Sequence, residues 1–156
     1  MDINFELIIV SKLLVSLALG GLIGLDRERH GIDAGIRTYA AVCIGSTIFT
    51  AIAGHLENDL SAPSRIIANI ITGVGFLCAG IIYRDNSSDT SHGLTTSATV
   101  WCTAGVGVAV GLNMFMIAVA STLALFFLLS LQNQKWYVRW KQKIANKLSE
   151  TKKNTS

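Results

Sequence analysis

From Leu94 to Leu131 the chain runs 38 residues without an Asp, Glu, Lys or Arg. As helix, such a stretch is roughly 57 Å long at about 1.5 Å per residue, nearly twice the ~30 Å hydrocarbon thickness of a bilayer. It must therefore turn back once, around Gly111-Leu112-Asn113, and supply two spans. The rest of the chain agrees. Only 15% of its 156 residues are charged and 51% are hydrophobic, where a soluble domain carries about a quarter charged. Five spans are read: Phe5–Leu25, Tyr39–Leu56, Ile66–Tyr83, Leu94–Leu112 and Met114–Leu131. Lipid offers no partner to a free amide, and the runs lack the alternation of barrel strands, so helices are required. The expected fold is all-α, a polytopic membrane protein of about five transmembrane helices.

The first span follows Met-Asp-Ile-Asn, with neither a basic start nor a convincing cleavage site, and is expected to stay as an anchor. Arginines and lysines set the orientation. Arg27, Arg29, Arg37, Arg84 and the basic tail fall on one side; Arg65 falls on the other, with Lys12 expected to snorkel outward to it. The tail is thereby placed in the cytoplasm and the amino terminus outside. Residues 1–131 are read as the transmembrane domain and 132–156 as a basic tail. In that tail Trp136, Trp140, Ile144 and Leu148 recur every fourth residue between basic residues, the pattern either of an interfacial helix or of a cytoplasmic helix end with an aromatic belt and a frayed terminus.

Small residues at helical spacing mark close helix contacts: Gly20 with Gly24, Gly75 with Ala79, Gly105 with Ala109, and Gly107 with Gly111. Packing within one chain is the expected use, a homo-oligomer the alternative. Asn69 and Thr72 share a face of the third span, and Thr95, Thr99 and Thr103 form a hydroxyl stripe on the fourth, either as packing contacts or as the lining of a small wet cavity. Cys43, Cys78 and Cys102 lie in apolar runs and read as packing residues. His30, His55 and His92 each sit near a membrane edge and read as solvated there. There is no Gly-Lys-Ser/Thr phosphate loop, no His-Glu-x-x-His and no paired-cysteine zinc spacing, so no enzyme is expected.

The first polar loop, residues 26–37, holds three acids and three arginines, and the third adds Arg84, Asp85, Asp89 and His92 on the same side. Arg37 opens the second span, where the helix dipole disfavours a cation unless acids lie close. A carboxylate–guanidinium network locking the helix ends is the leading reading. The sharper alternative is a hydrated Mg²⁺ or Ca²⁺ site on Asp26 and Glu28, with Asp85 or Asp89.

Three blocks, "GLIGLDRERHGIDAGIRTYA" at 20–39, "SRIIANIITGVGFLCAGII" at 64–82 and "HGLTTSATVWCTAGVGVAVG" at 92–111, resemble the MgtC/SapB family of bacterial inner-membrane proteins. By motif position the signature falls on Asp26, Arg27, Glu28, Gly35, Arg37, Thr38, Arg65, Gly73, Gly75, Phe76, Gly80, Gly93, Leu94, Thr95, Thr96 and Trp101. Cys78 stands where the family usually has glycine, Ile36 where it has leucine, Tyr39 where histidine is common, and Asp26 where glutamate is usual. The resemblance covers the membrane domain only, without the family's carboxyl-terminal ACT-like domain, so a regulatory role of that domain is not carried over. It implies a non-enzymatic membrane regulator linked to magnesium limitation and to virulence, acting on a membrane partner such as the F-type ATP synthase. The rival is a Mg²⁺ or other cation transporter or channel, although no apolar run holds a buried acid, and a third option is a divalent-cation sensor. Expected partners are lipid, a membrane protein or a second copy, and no nucleic acid.

Overall fold

The computed structural model describes residues 3–56, 61–85 and 90–131. They form α1 (Ile3–Arg29), α2 (Ile36–Leu56), α3 (Ser61–Ile81), β1 (Tyr83–Asp85), β2 (Thr90–His92), α4 (Leu94–Gly111) and α5 (Phe115–Leu131). The basic tail and Asp89 lie outside the described residues. The backbone divides into two compact units, Met1–Thr122 and Leu123–Ser156. The first holds α1 to α4, the hairpin and the start of α5; the described part of the second is the remainder of α5.

Helices α1 to α4 are each long and apolar enough to cross a membrane. The fifth, apolar and 17 residues long, extends about 26 Å, just short of the hydrocarbon thickness. The protein is thus an all-α membrane protein in its spans, with one departure. Tyr83 does not end the third helix: it opens a two-stranded antiparallel hairpin in which Tyr83 faces His92 and their rings stack at 5.3 Å. That hairpin delivers the chain to Gly93, whose φ of 83° is a left-handed conformation that suits glycine. A Cβ there would strike the Ile81 carbonyl oxygen, so the ends of α3 and α4 meet backbone to backbone.

Close approach organises the rest of the first unit. A Cβ on Gly20 would come within 2.7 Å of Cys43 Cβ, and one on Gly24 within 2.6 Å of Ile36 Cα, which seats the second half of α1 on the start of α2. On the other flank of α2, Gly107 lies against the Cys43 carbonyl and Gly111 against Thr50. Contacts from Tyr39–Thr99 through Thr47–Gly107 to Thr50–Gly111 advance together along both chains, so α2 and α4 run parallel. Phe5 stacks on His55 at 3.5 Å, which makes α1 antiparallel to α2. Cys78 and Ser97 exchange hydrogen bonds with each other's carbonyls at 3.2 and 2.6 Å, tying α3 antiparallel to α4. The carboxyl ends of α1 and α3 and the amino ends of α2 and α4 therefore gather at one end of the bundle.

The interior is built from small and polar groups: Ser16, Ser46, Thr47, Thr50 and Thr103 are buried while Leu7, Leu14, Phe49 and Phe76 are exposed. A water-soluble core is the reverse, whereas helices in lipid gain nothing from hiding leucine and pack through residues that let backbones approach. Not every predicted small-residue pair is used this way. A Cβ added to Gly75 or Gly105 would meet nothing within 4 Å, so neither glycine makes the close approach expected of the Gly75–Ala79 and Gly105–Ala109 pairs, although Ala109 itself is buried.

Gly107→Ala is expected to lower the thermal unfolding midpoint in detergent, at about 1–3 kcal/mol for forcing α4 from α2. Gly105→Ala, facing open space, should stay within about 0.5 kcal/mol. Equal shifts for the two variants would refute close approach as the organising contact.

Candidate functional site

At the shared end of the bundle the polar residues sort into an inner and an outer group. The inner group begins with Arg27, in the last turn of α1, which turns inward and is only 5% exposed. Its Nη2 donates to Thr96 Oγ1 at 3.3 Å, in the first turn of α4. One turn further along α4, Thr99 Oγ1 lies 2.6 Å from the fully buried Tyr39 hydroxyl of α2. Thr103 then donates to the Thr99 carbonyl at 2.8 Å. Three helices are stitched together by this chain of groups. The hydroxyl stripe expected on Thr95, Thr99 and Thr103 is corrected by one position: Thr96 joins Thr99 and Thr103 in the interior and Thr95 is exposed. The reason is helical phase, since Thr96 and Thr103 are two turns apart on one face while Thr95 lies about 100° away.

The outer group is the loop between α1 and α2. Glu28 Oε2 accepts from the Ile36 amide at 3.1 Å, so its carboxylate serves the unpaired amino end of α2. Gly35 makes room for it, because a Cβ there would lie 3.1 Å from the Glu28 carboxyl carbon. Glu28, Asp33, Arg37 and Thr38 line a polar recess of about 150 Å³. Asp26 has His30 beside it instead, the ring Nδ1 lying 2.7 Å from the Asp26 carbonyl oxygen and 3.8 Å from its carboxylate. Among the described residues neither Arg27 nor Arg37 has a carboxylate within 4 Å, so the expected guanidinium–carboxylate network gives way to a carboxylate on a helix end and an arginine on hydroxyls.

The metal reading fares no better on geometry. Asp26 and Glu28 are two residues apart on α1 and so do not face each other; each serves a different group, and no cluster of three His, Cys, Asp or Glu able to hold a metal occurs among the described residues. The side chains of Asp85 and Asp89 lie outside what the structure describes.

Sequence reasoning misplaced Lys12. Expected to snorkel outward, it is 7% exposed and its Nζ donates to the Gly111 carbonyl at 2.8 Å, serving the carboxyl end of α4. A cation there is favoured by the helix dipole. Its solitary position in an apolar run was the available signal. The predicted polar residues of α3 stay outside the bundle: Asn69 and Thr72 are exposed, Thr72 donating to its own helix at Ala68, as are Gly73, Phe76 and Gly80. Arg65, Leu94 and Trp101 are exposed as well. Between α2 and α3 runs an apolar groove of about 560 Å³ bordered by Gly45, Phe49, Asn69 and Gly73.

Comparison with known proteins converges on the same segments. A model of the MgtC family matches residues 13–135, which takes in all four long helices from the middle of α1 onward and α5. The chain belongs to the MgtC family. It is 41% identical over 114 residues to "Protein MgtC" of Salmonella typhimurium strain LT2, covering 73% of this chain and 48% of that one. "Protein MgtC" of Brucella abortus strain 2308 is 42% identical over 105 residues, 67% of this chain and 42% of its own. An uncharacterized protein of Haemophilus influenzae is 35% identical over 154 residues, 92% of this chain and 64% of its own. The chain thus spans about half the length of the curated MgtC proteins it matches. No solved structure matches it. Among the signature positions of this MgtC-family chain, Arg27 and Thr96 lie in the inner group, Glu28, Gly35 and Arg37 in the outer loop, Gly73, Phe76 and Gly80 on the exposed face of α3, and Leu94, Thr95 and Trp101 exposed on α4.

Tyr39→Phe should lower stability by about 0.5–1.5 kcal/mol by removing the hydroxyl bond between α2 and α4, while Thr99 keeps its bond to the Thr96 carbonyl. Arg37→Ala, on an exposed guanidinium, should stay within about 0.5 kcal/mol. Thermal unfolding in detergent reads both, and a larger loss for Arg37→Ala would contradict the division into inner and outer groups.

Proposed function

We propose that this chain is a non-enzymatic regulator of the bacterial inner membrane, working by lateral contact between α3 and a transmembrane helix of another membrane protein. The supporting observation is the outward face of α3. Only 11% of its apolar window is buried, against 61% for α4. On that face the Asn69 amide lies exposed beside Gly73 and the 560 Å³ groove. An amide facing hydrocarbon lacks hydrogen-bond partners, and glycine beside it lets a second backbone come close enough to supply them. The F-type ATP synthase is the partner that family resemblance suggests, in a setting of magnesium limitation and virulence. Family resemblance and the distribution of arginines support an inner-membrane location with the amino terminus outside and the tail in the cytoplasm.

Transport is the competing function. The interior hydroxyls argue against it, because Thr47, Thr99, Thr103 and Ser97 are each committed to a carbonyl of their own or a neighbouring helix. Such bonds hold the helices against one another, and no apolar run carries a buried acid to compensate a cation on its way through.

Two measurements decide between them. Proteoliposomes of the purified chain should show no Mg²⁺ uptake above protein-free vesicles; uptake abolished by Asp26→Asn would overturn the regulator reading. In native membranes a photocrosslinker at position 73 should give a heteromeric adduct that Asn69→Leu reduces severalfold, while thermal stability changes by no more than about 0.5 kcal/mol. Adducts with the chain itself alone would count against a heteromeric partner.

A further inference from the structure

The bundle leaves one buried group unaccounted for. Arg27 is 5% exposed, its Nε is sealed from solvent without a hydrogen-bond partner, and no carboxylate among the described residues lies within ion-pair distance. Its Nη2 contact with Thr96, at 3.3 Å, is long for a charge-assisted bond, which usually measures about 2.7–2.9 Å. A lysine in such a place could shed its proton, but a guanidinium stays charged. The carboxyl end of α1 favours a cation, yet the Arg27 carbonyl is already taken by the amides of His30 and Ile32.

What Arg27 faces makes the imbalance worse. Thr96 belongs to the first turn of α4, and the first amides of a helix have no partner within it and carry the positive end of its dipole. The N-cap is Gly93, which has no side chain to cap them; the first amide bonded in this turn is that of Ser97, to the Gly93 carbonyl. A guanidinium and a helix amino end, both positive, thus confront each other across the Thr96 hydroxyl; the Tyr39 hydroxyl is the guanidinium's other side-chain partner, and Nε has none. Nε and Nη2 are the edge through which arginine grips an oxyanion with two parallel bonds, and Nη2 points at that first turn.

Depth narrows the choice of anion. Helix α1 has 27 residues, about 40 Å of helix against ~30 Å of hydrocarbon, so when it is centred in the bilayer its final turn reaches the level of the lipid headgroups. We propose that Arg27 and the amino end of α4 form a binding site for a phosphate oxyanion, either the phosphate of an anionic lipid or free inorganic phosphate. The Nε–Nη2 edge holds one pair of oxygens, and the first-turn amides and the Thr96 hydroxyl take the others. The anion's charge compensates guanidinium and helix end together. This site is separate from the α3 face, and the two readings fail independently.

The test uses the full chain, in detergent and in nanodiscs. In one arm thermal unfolding is followed against inorganic phosphate at constant ionic strength; in the other, nanodiscs of phosphatidylcholine are compared with nanodiscs containing phosphatidylglycerol. The expected result is a rise of about 3–6 °C near tenfold excess over Kd in at least one arm. A rise in the first arm identifies free phosphate, and a rise in the second alone identifies the headgroup. Arg27→Gln should abolish the shift, and Arg37→Gln, which removes an exposed guanidinium at the same end, should keep it. Should Arg27→Gln not fold, Arg27→Lys keeps the charge without the two-bond edge and should weaken apparent affinity on the order of tenfold. No shift in either arm, or a shift that survives in Arg27→Lys and is lost in Arg37→Gln, overturns the proposal.

Discussion

Everything in the first unit depends on how near α2 can come to its two neighbours. In lipid, burying leucine brings no gain, so helices cohere through dispersion at short range and hydrogen bonds between backbones and hydroxyls. Gly20 and Gly24 on α1 and Gly107 and Gly111 on α4 bring the axes together around Cys43, which is touched from both flanks. Only at that separation can Thr47 reach the Gly107 carbonyl and Tyr39 reach Thr99. The polar contacts are therefore a result of the glycine spacing, and they in turn fix which faces of the helices meet.

The existence and number of helices were legible from the length of the apolar runs, because hydrocarbon thickness is a hard constraint. Family membership was legible in three ordered motif blocks and is matched over residues 13–135. Which glycines pack was half legible: the pairs on α1 and at the end of α4 carry contacts, whereas Gly75 and Gly105 face outward, since spacing marks a face without saying what lies opposite. The direction of a charged side chain was least legible. Arg27 and Arg29 are near neighbours in one acid-rich turn, yet one is buried and the other exposed. Helical phase separates them by some 200°, and only the position of α4 determines which of those directions is inward.

The same geometry explains why composition misled about the charge cluster. Balanced acids and arginines in a loop suggest ion pairs, but helix ends compete for the same groups. Glu28 goes to the amino end of α2, where unpaired amides attract it, and Asp26 stays beside His30, the residue that follows its own helix. Exposed ion pairs contribute little in water, so a carboxylate that satisfies backbone donors is the better use of the residue.

Lys12 and Arg27 together make α1 a ruler. One reaches the last carbonyls of α4 and the other its first turn, and the same number of residues separates Lys12 from Arg27 as separates Thr96 from Gly111. Two antiparallel helices so matched have a single relative register in which both contacts form. Adding or removing one residue between them would swing one cation about 100° around the helix and shift it about 1.5 Å along the axis. The length of α1 between these two cations is therefore as much a part of the protein's specificity as any side chain on it.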